Sequence, residues 1–247
     1  MLDVQQFMKH QIIAHLITRI RKRFDMATYS VVEKFVSING EGIKAGQLAV
    51  FVRFAGCNLD CNYCDTKWAN KVDVPFDTLT EFEIYDYIKS TGVTNVTLTG
   101  GEPLLRENIE NLLRILSSDK SLYVEIETNG SVELNQFRDI SENLSFTVDY
   151  KLPGSGMERM MNLENYEDLR KEDTVKFVVS HRADLDKARQ IIEEYSLTEK
   201  CNVYISPVFG RIEPVDIVNY MIEHKMNKVN MQLQLHKFIW DPEMKGV

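Results

Sequence analysis

The sequence predicts an α/β fold built on a mostly parallel sheet. Three observations lead there: short runs of β-branched and apolar residues recur along the chain, amphipathic stretches separate several of them, and polar Gly-, Asn- or Asp-containing turns follow the runs. Strands are expected at Val31–Ile38, Leu48–Phe54, Asn95–Thr99, Leu122–Glu127, Ser145–Asp149, Thr174–Val179, Asn202–Ser206 and Met231–Leu235, each short and rich in Val, Ile, Leu, Phe or Thr. Helices are expected at Glu81–Ser90, Asn108–Ser117, Leu185–Tyr195 and Pro214–His224, where apolar residues return at helical spacing. Strand, helix, strand at this spacing leaves a doubly wound sheet or a full or partial barrel.

Composition narrows the class further. The chain has 247 residues, 44% hydrophobic and 27% charged, with a formal charge of −8. Those proportions exclude collagen-like and wholly disordered chains. No apolar run is long enough for a spanning helix or a secretory core, so a cytoplasmic protein that does not bind membranes is expected. The acidic balance argues against direct nucleic-acid binding and for a small-molecule ligand. Residues 1–25 stand apart: five basic residues face two acidic ones, and Phe7, Ile12, Ile13, Leu16, Ile17 and Ile20 suggest an amphipathic helix. They read as an extension without chemistry, and residues 26–247 read as one domain.

Polar signatures gather where the expected strands end. Gly100-Gly101-Glu102-Pro103 follows Thr99, Thr128-Asn129-Gly130 follows Glu127, and Asp149-Tyr150-Lys151 ends the next strand. Parallel α/β folds bind ligands at the carboxyl ends of their strands. After the Leu48–Phe54 strand come Cys57, Cys61 and Cys64, spaced C-x3-C-x2-C, while Cys201 lies far away and reads as a small buried hydrophobe. Three thiolates from one loop can hold three irons of a cubane cluster and leave the fourth open. A zinc site with a fourth ligand is the alternative, although none of the five histidines lies near in sequence. A zinc or electron-transfer module therefore stays open on the residues alone.

The cysteine loop, with an aromatic Tyr63 before Cys64, and the GGEP string together resemble the radical S-adenosylmethionine (SAM) enzymes. Ser37-Ile38-Asn39-Gly40-Glu41-Gly42, Phe51-Val52-Arg53-Phe54-Ala55-Gly56-Cys57 and Cys64-Asp65-Thr66 are similar, more narrowly, to the 7-carboxy-7-deazaguanine synthases. Another radical SAM class, such as a glycyl-radical activating enzyme, is the competing reading. The resemblance runs from about Val31 to Pro242. Two departures are visible: Asn39 stands where many members have Gln, and Asp149-Tyr150-Lys151 stands where many have Ser-Pro-Lys.

The resemblance implies a partial (β/α) barrel and a specific chemistry. Cys57, Cys61 and Cys64 would hold a [4Fe-4S] cluster, and SAM on its open iron would yield a 5′-deoxyadenosyl radical. The radical would start the ring contraction of 6-carboxy-5,6,7,8-tetrahydropterin to 7-carboxy-7-deazaguanine, with loss of ammonia, on the route to queuosine. The implied SAM contacts are Tyr63, Cys64, Asp65, Gly100, Gly101, Glu102, Asp149, Tyr150 and Lys151. The implied substrate contacts are Ile38, Asn39, Gly40, Glu41, Arg53 and Thr99, with Arg53 on the carboxylate. Thr66 would offer its hydroxyl to Mg2+. An electron donor such as a flavodoxin or ferredoxin and a homodimer are implied as well. His236 and Lys237, expected at the end of the last strand, receive no role, and the ten methionines read as core filling.

Overall fold

A computed structural model describes residues 26–247, and the helix expected within residues 1–25 lies outside the described residues. Nine strands form one open sheet in the order β3-β1-β2-β4-β5-β6-β7-β8-β9. They are β1 (Thr28–Ile38), β2 (Leu48–Phe54), β3 (Asp77–Thr80), β4 (Asn95–Gly100), β5 (Tyr123–Thr128), β6 (Leu144–Asp149), β7 (Thr174–Val179), β8 (Asn202–Pro207) and β9 (Val229–Met231). From β2 to β9 every neighbouring pair is parallel, whereas β1 runs antiparallel to both β2 and β3. The mostly parallel sheet expected from the sequence is therefore present, and it is open.

Each strand has an apolar and a polar face. Val50, Val52 and Phe54 of β2, Val96 and Leu98 of β4, and Val124 and Ile126 of β5 are buried. Phe146 and Val148 of β6 and Val175 and Phe177 of β7 continue that layer. Helices α1 (Glu81–Thr91), α2 (Ile109–Ser118), α4 (Arg182–Glu194) and α6 (Pro214–Glu223) are longer than the short α3 (Asn135–Arg138), α5 (Leu197–Lys200) and α7 (His236–Ile239). In α2 the buried set Ile109, Leu112, Leu113 and Leu116 has the i, i+3, i+4, i+7 spacing of one helical face. Each such buried side chain contributes about 1.5–3 kcal/mol. At the start of α1, Thr80 and Glu83 form a reciprocal capping box, and Gly92 ends the helix at φ 70°.

The opposite face carries the polar alternates: Arg53, Thr97, Thr99, Glu125, Glu127, Thr147, Asp149 and Lys176. Strands of parallel sheets ordinarily bury both faces in apolar contact. Here the second face lines a cavity. The turn after β1 closes it from below: Gly40 O accepts from Leu235 N (3.1 Å), and Gly42 N donates to Gln232 Oε1 (2.7 Å). Since β1 and β9 stand at opposite sides of the sheet, these bonds require the sheet to curve into a partial barrel.

Four features depart from the expectation. Strand β3 is a four-residue edge with no apolar run to announce it. The last strand is Val229–Met231 instead of Met231–Leu235, because Gln232 and Gln234 turn their amides to Gly42 and Glu41 and end the ladder. His236 and Lys237 consequently open helix α7. Between β6 and β7, Pro153, Gly154 and Gly156 break the crossover into three short 3-10 turns.

One buried carboxylate joins this broken crossover to α4. Asp184 accepts from Gly154 N (2.8 Å), Ser180 N (2.8 Å) and Ser180 Oγ (2.7 Å). Asp184→Ala would strand these donors, and urea unfolding should show a loss of about 3 kcal/mol. A second expectation concerns Glu125, whose carboxyl is pushed up to about 7 by burial and then by the neighbouring Glu127. A carboxyl that holds its proton longer in the folded than in the unfolded chain makes stability fall as pH rises from about 4.5 to about 7. Glu125→Gln should flatten that fall. Glu102, pushed up to about 7 as well, should keep it from vanishing.

Candidate active site

A cavity of about 690 Å³ opens at the carboxyl ends of the parallel strands. Its rim is made by two loops locked backbone to backbone. Gly101 N donates to Phe54 O (3.1 Å), and Glu102 N donates to Gly56 O (3.1 Å). A Cβ on Gly101 would lie 1.8 Å from Gly56 O, and one on Gly100 would lie 2.3 Å from Phe54 O. Only glycine permits this approach, and the φ of 131° at Gly100 adds a second requirement. The lock fixes the GGEP turn against the loop that bears Cys57, Cys61 and Cys64, all three of which line the cavity.

Glu102 does not reach the cavity. It is fully buried, accepts from Leu104 N (3.0 Å) and Asn129 N (2.6 Å), and so ties the GGEP turn to the loop after β5. Asn129 then donates through Nδ2 to the Cys57 sulfur (3.4 Å) and to Asn58 Oδ1 (2.9 Å). Burial raises the Cys61 thiol, and the nearby Lys151 ammonium opposes that rise. Tyr63 lines the cavity, yet its hydroxyl donates to Val178 O (3.1 Å) and burial holds its proton well above the usual range.

Charged side chains stand on the inner sheet face. Arg53 Nε donates to Glu33 Oε1 at 2.6 Å. Lys176 sits 3.4 Å from Glu41 and 3.6 Å from Asp149, and Asp149 also pairs with Lys151. Burial pulls both ammonium groups down, but their carboxylates outweigh it and hold both protonated. Burial likewise raises Asp149, and the two lysines more than reverse this. Ser206 Oγ donates to Glu41 Oε1 (2.6 Å), and Thr99 Oγ1 donates to Glu127 Oε2 (2.7 Å).

Among the residues expected from the sequence, Ile38, Gly40, Glu41, Arg53, Thr99, Asp65, Thr66, Asp149 and Lys151 face this cavity with the cysteines, Tyr63 and the glycine pair. Three expected residues do not: Glu102, buried behind the GGEP turn, and Tyr150 and Asn39. Tyr150 turns to the helix side, packs on Tyr166 and Phe177, and bonds Glu158, because strand alternation sends it opposite to Asp149. Asn39 is buried beneath the floor, where its Oδ1 accepts from Thr97 Oγ1 at 2.9 Å. Cys201 lies apart, its thiol donating to Leu197 O. His236, Lys237, Glu33, Glu127, Lys176 and Gln234 reach the cavity without having been assigned. For Glu127 and Lys176, the apolar/polar alternation of YVEIET and TVKFVV was a readable signal.

The donor set fits an iron-sulfur cluster with SAM better than a single ion. Among the described residues, no three His, Cys, Asp or Glu side chains gather as ligands of one metal ion. Beside Gly101 lies Asn70 Oδ1, a buried acceptor with no partner among the described residues. An unmatched acceptor at the glycine pair suits an ammonium group. Thr66 Oγ1, 3.5 Å from the Cys64 sulfur, is a neutral oxygen on the same wall.

Comparison with known proteins agrees with this geometry. Residues 51–152 match the Radical SAM superfamily. A 7-carboxy-7-deazaguanine synthase of Clostridium acetobutylicum is 61% identical over 219 residues, covering 89% of this chain and 99% of that protein. One from Chlorobaculum tepidum is 34% identical over 224 residues, covering 90% and 98%. In fold, the chain resembles the crystal structure of QueE from Escherichia coli, with a TM-score of 0.67, 21% identity, and 84% and 94% of the two chains covered. With full-length identity of this order and the cysteine loop facing a single cavity, the chain belongs to the 7-carboxy-7-deazaguanine synthase family of radical SAM enzymes.

Proposed function

We propose that this chain converts 6-carboxy-5,6,7,8-tetrahydropterin to 7-carboxy-7-deazaguanine and ammonia. The observation that carries the reading is one cavity holding three clustered cysteines, an unmatched acceptor at a glycine pair, and an arginine on the inner wall. Product and ammonia together equal the substrate, so the conversion consumes no net oxidant. When bound, the cluster and SAM supply the one-electron chemistry that removes a substrate hydrogen.

The remaining work falls to the chain's own residues. Cys57, Cys61 and Cys64 hold the cluster, and Asn129 donates a hydrogen bond to the Cys57 sulfur. The strand-end backbone at Gly100 and Gly101, with Asn70 Oδ1, takes the SAM ammonium. Arg53 takes the substrate carboxylate, while Glu41, oriented by Lys176, Ser206 and Gln234, accepts from the donor edge of the pterin. Phe35 and Phe51, stacked with centroids 5.0 Å apart, give a flat apolar wall beside Arg53. Thr66 supplies one neutral oxygen to Mg2+, whose shell waters complete. A flavodoxin or ferredoxin delivers the electron, and the enzyme works as a cytoplasmic homodimer.

Anaerobic reconstitution with iron and sulfide, followed by product analysis with the carboxytetrahydropterin, SAM, a reductant and magnesium, tests the reading. Equal amounts of 7-carboxy-7-deazaguanine and ammonia are expected from wild type and Cys201→Ala, and none from Cys57→Ala. SAM cleavage with the pterin recovered intact would assign the chain to another radical SAM class. Thr66→Ala should keep its iron but lose about tenfold of the magnesium stimulation at subsaturating substrate, or ~1.4 kcal/mol. Thr66→Ser should retain most of it.

A further inference from the structure

Arg53 and Glu33 face each other across the antiparallel β1–β2 pair. They do so because of a bulge. Val31 pairs with Phe54, but Arg53 pairs with Glu33 instead of Val32, so one extra residue is inserted in β1. A bulge of this kind re-aims the side chain that follows it. Here it brings Glu33 to the cavity wall beside Arg53, with Phe35 over Phe51 as the next pair on the same face.

The contact uses only part of the guanidinium. Glu33 Oε1 accepts from Nε at 2.6 Å, and neither Nη group has a hydrogen-bond partner among the described residues. Both side chains are largely withdrawn from solvent, at 16% and 18% exposure. An arginine held by Nε cannot spin its fork freely, and the two Nη groups remain for a second, planar acceptor. We propose that Glu33 is a positioning residue that holds Arg53 so that its Nη groups present a two-point site for a carboxylate on the ligand. This rests on the proposed function in taking that carboxylate to be the pterin's.

Two effects of Glu33 compete. Its negative charge repels an incoming carboxylate, whereas its grip removes the entropy cost of ordering a long side chain on binding. Glutamine separates them, since its amide oxygen still accepts from Nε while the charge is gone. If the grip dominates, Glu33→Gln keeps the preference for a carboxylated ligand and Glu33→Ala loses it.

The test is equilibrium binding to the reconstituted enzyme with SAM and without reductant. The probes are 6-carboxytetrahydropterin and the tetrahydropterin lacking that carboxylate. Wild type and Glu33→Gln should favour the carboxylated ligand, and Glu33→Ala should lose about tenfold of that preference by weakening the carboxylated ligand alone. Turnover by Glu33→Ala should show a raised KM with kcat near wild type. Arg53→Lys, which lacks the fork, should lose the preference as well, and it reports independently of whether Glu33→Ala folds. An unchanged preference in Glu33→Ala or Arg53→Lys, equal weakening of both ligands, or a Gln variant as poor as Ala overturns the proposal. Product formation by wild type tests the proposed activity separately, so either reading can fail alone.

Discussion

The seam between the ends of β2 and β4 is the constraint on which the site depends. Two backbone hydrogen bonds and a gap too narrow for any side chain bring Gly56 and Gly101 together. The cysteines, the glycine pair and Asn70 then belong to one rigid unit, and Glu102 extends it to the loop after β5. Fixing polar groups before a ligand arrives is how a site avoids reorganising them during reaction. The apolar helices behind the sheet matter here chiefly because they hold the strand ends in register.

Within the cavity wall, four ionic groups form one linked set. Asp149 stands between Lys151 and Lys176, and Glu41 shares Lys176. Such buried pairs rarely add much net stability, since desolvation offsets most of the Coulomb attraction. Their presence on one face of the sheet, with well-packed aliphatic residues on the other, marks a surface kept for binding. Removing one partner leaves its neighbour charged and uncompensated, so these positions are linked in their effects.

Much of the architecture was legible because it depends on period. Runs of five to eight residues separated by amphipathic stretches specify a parallel sheet, and seven of the eight expected strands lie within a few residues of observed ones. What escaped depends on single turns or contacts. Strand β3 exists because β1 offers it an edge, and the end of β9 is decided by two glutamines that find partners in the distant β1–β2 turn. In the site, motif position marked the cysteines and glycines, whereas side-chain direction separated Asp149 from Tyr150. Glu127 and Lys176 were readable from alternation in their strands. Glu33 was not, because the bulge before it breaks the alternation.

The turn from Asn39 to Gly46 crosses under the inner face and bonds to Thr97, Ser206, Gln232 and Leu235. It covers the inner end of the partial barrel. Anything bound near Glu41 has this turn beneath it, and the mouth that the cysteine loop borders lies at the other end of the cavity. Along the path through that mouth, a molecule seated nearer the opening stands in the way of one seated deeper. On that path, arrival order and release order follow from the fold, set by an eight-residue connection that carries little of the core.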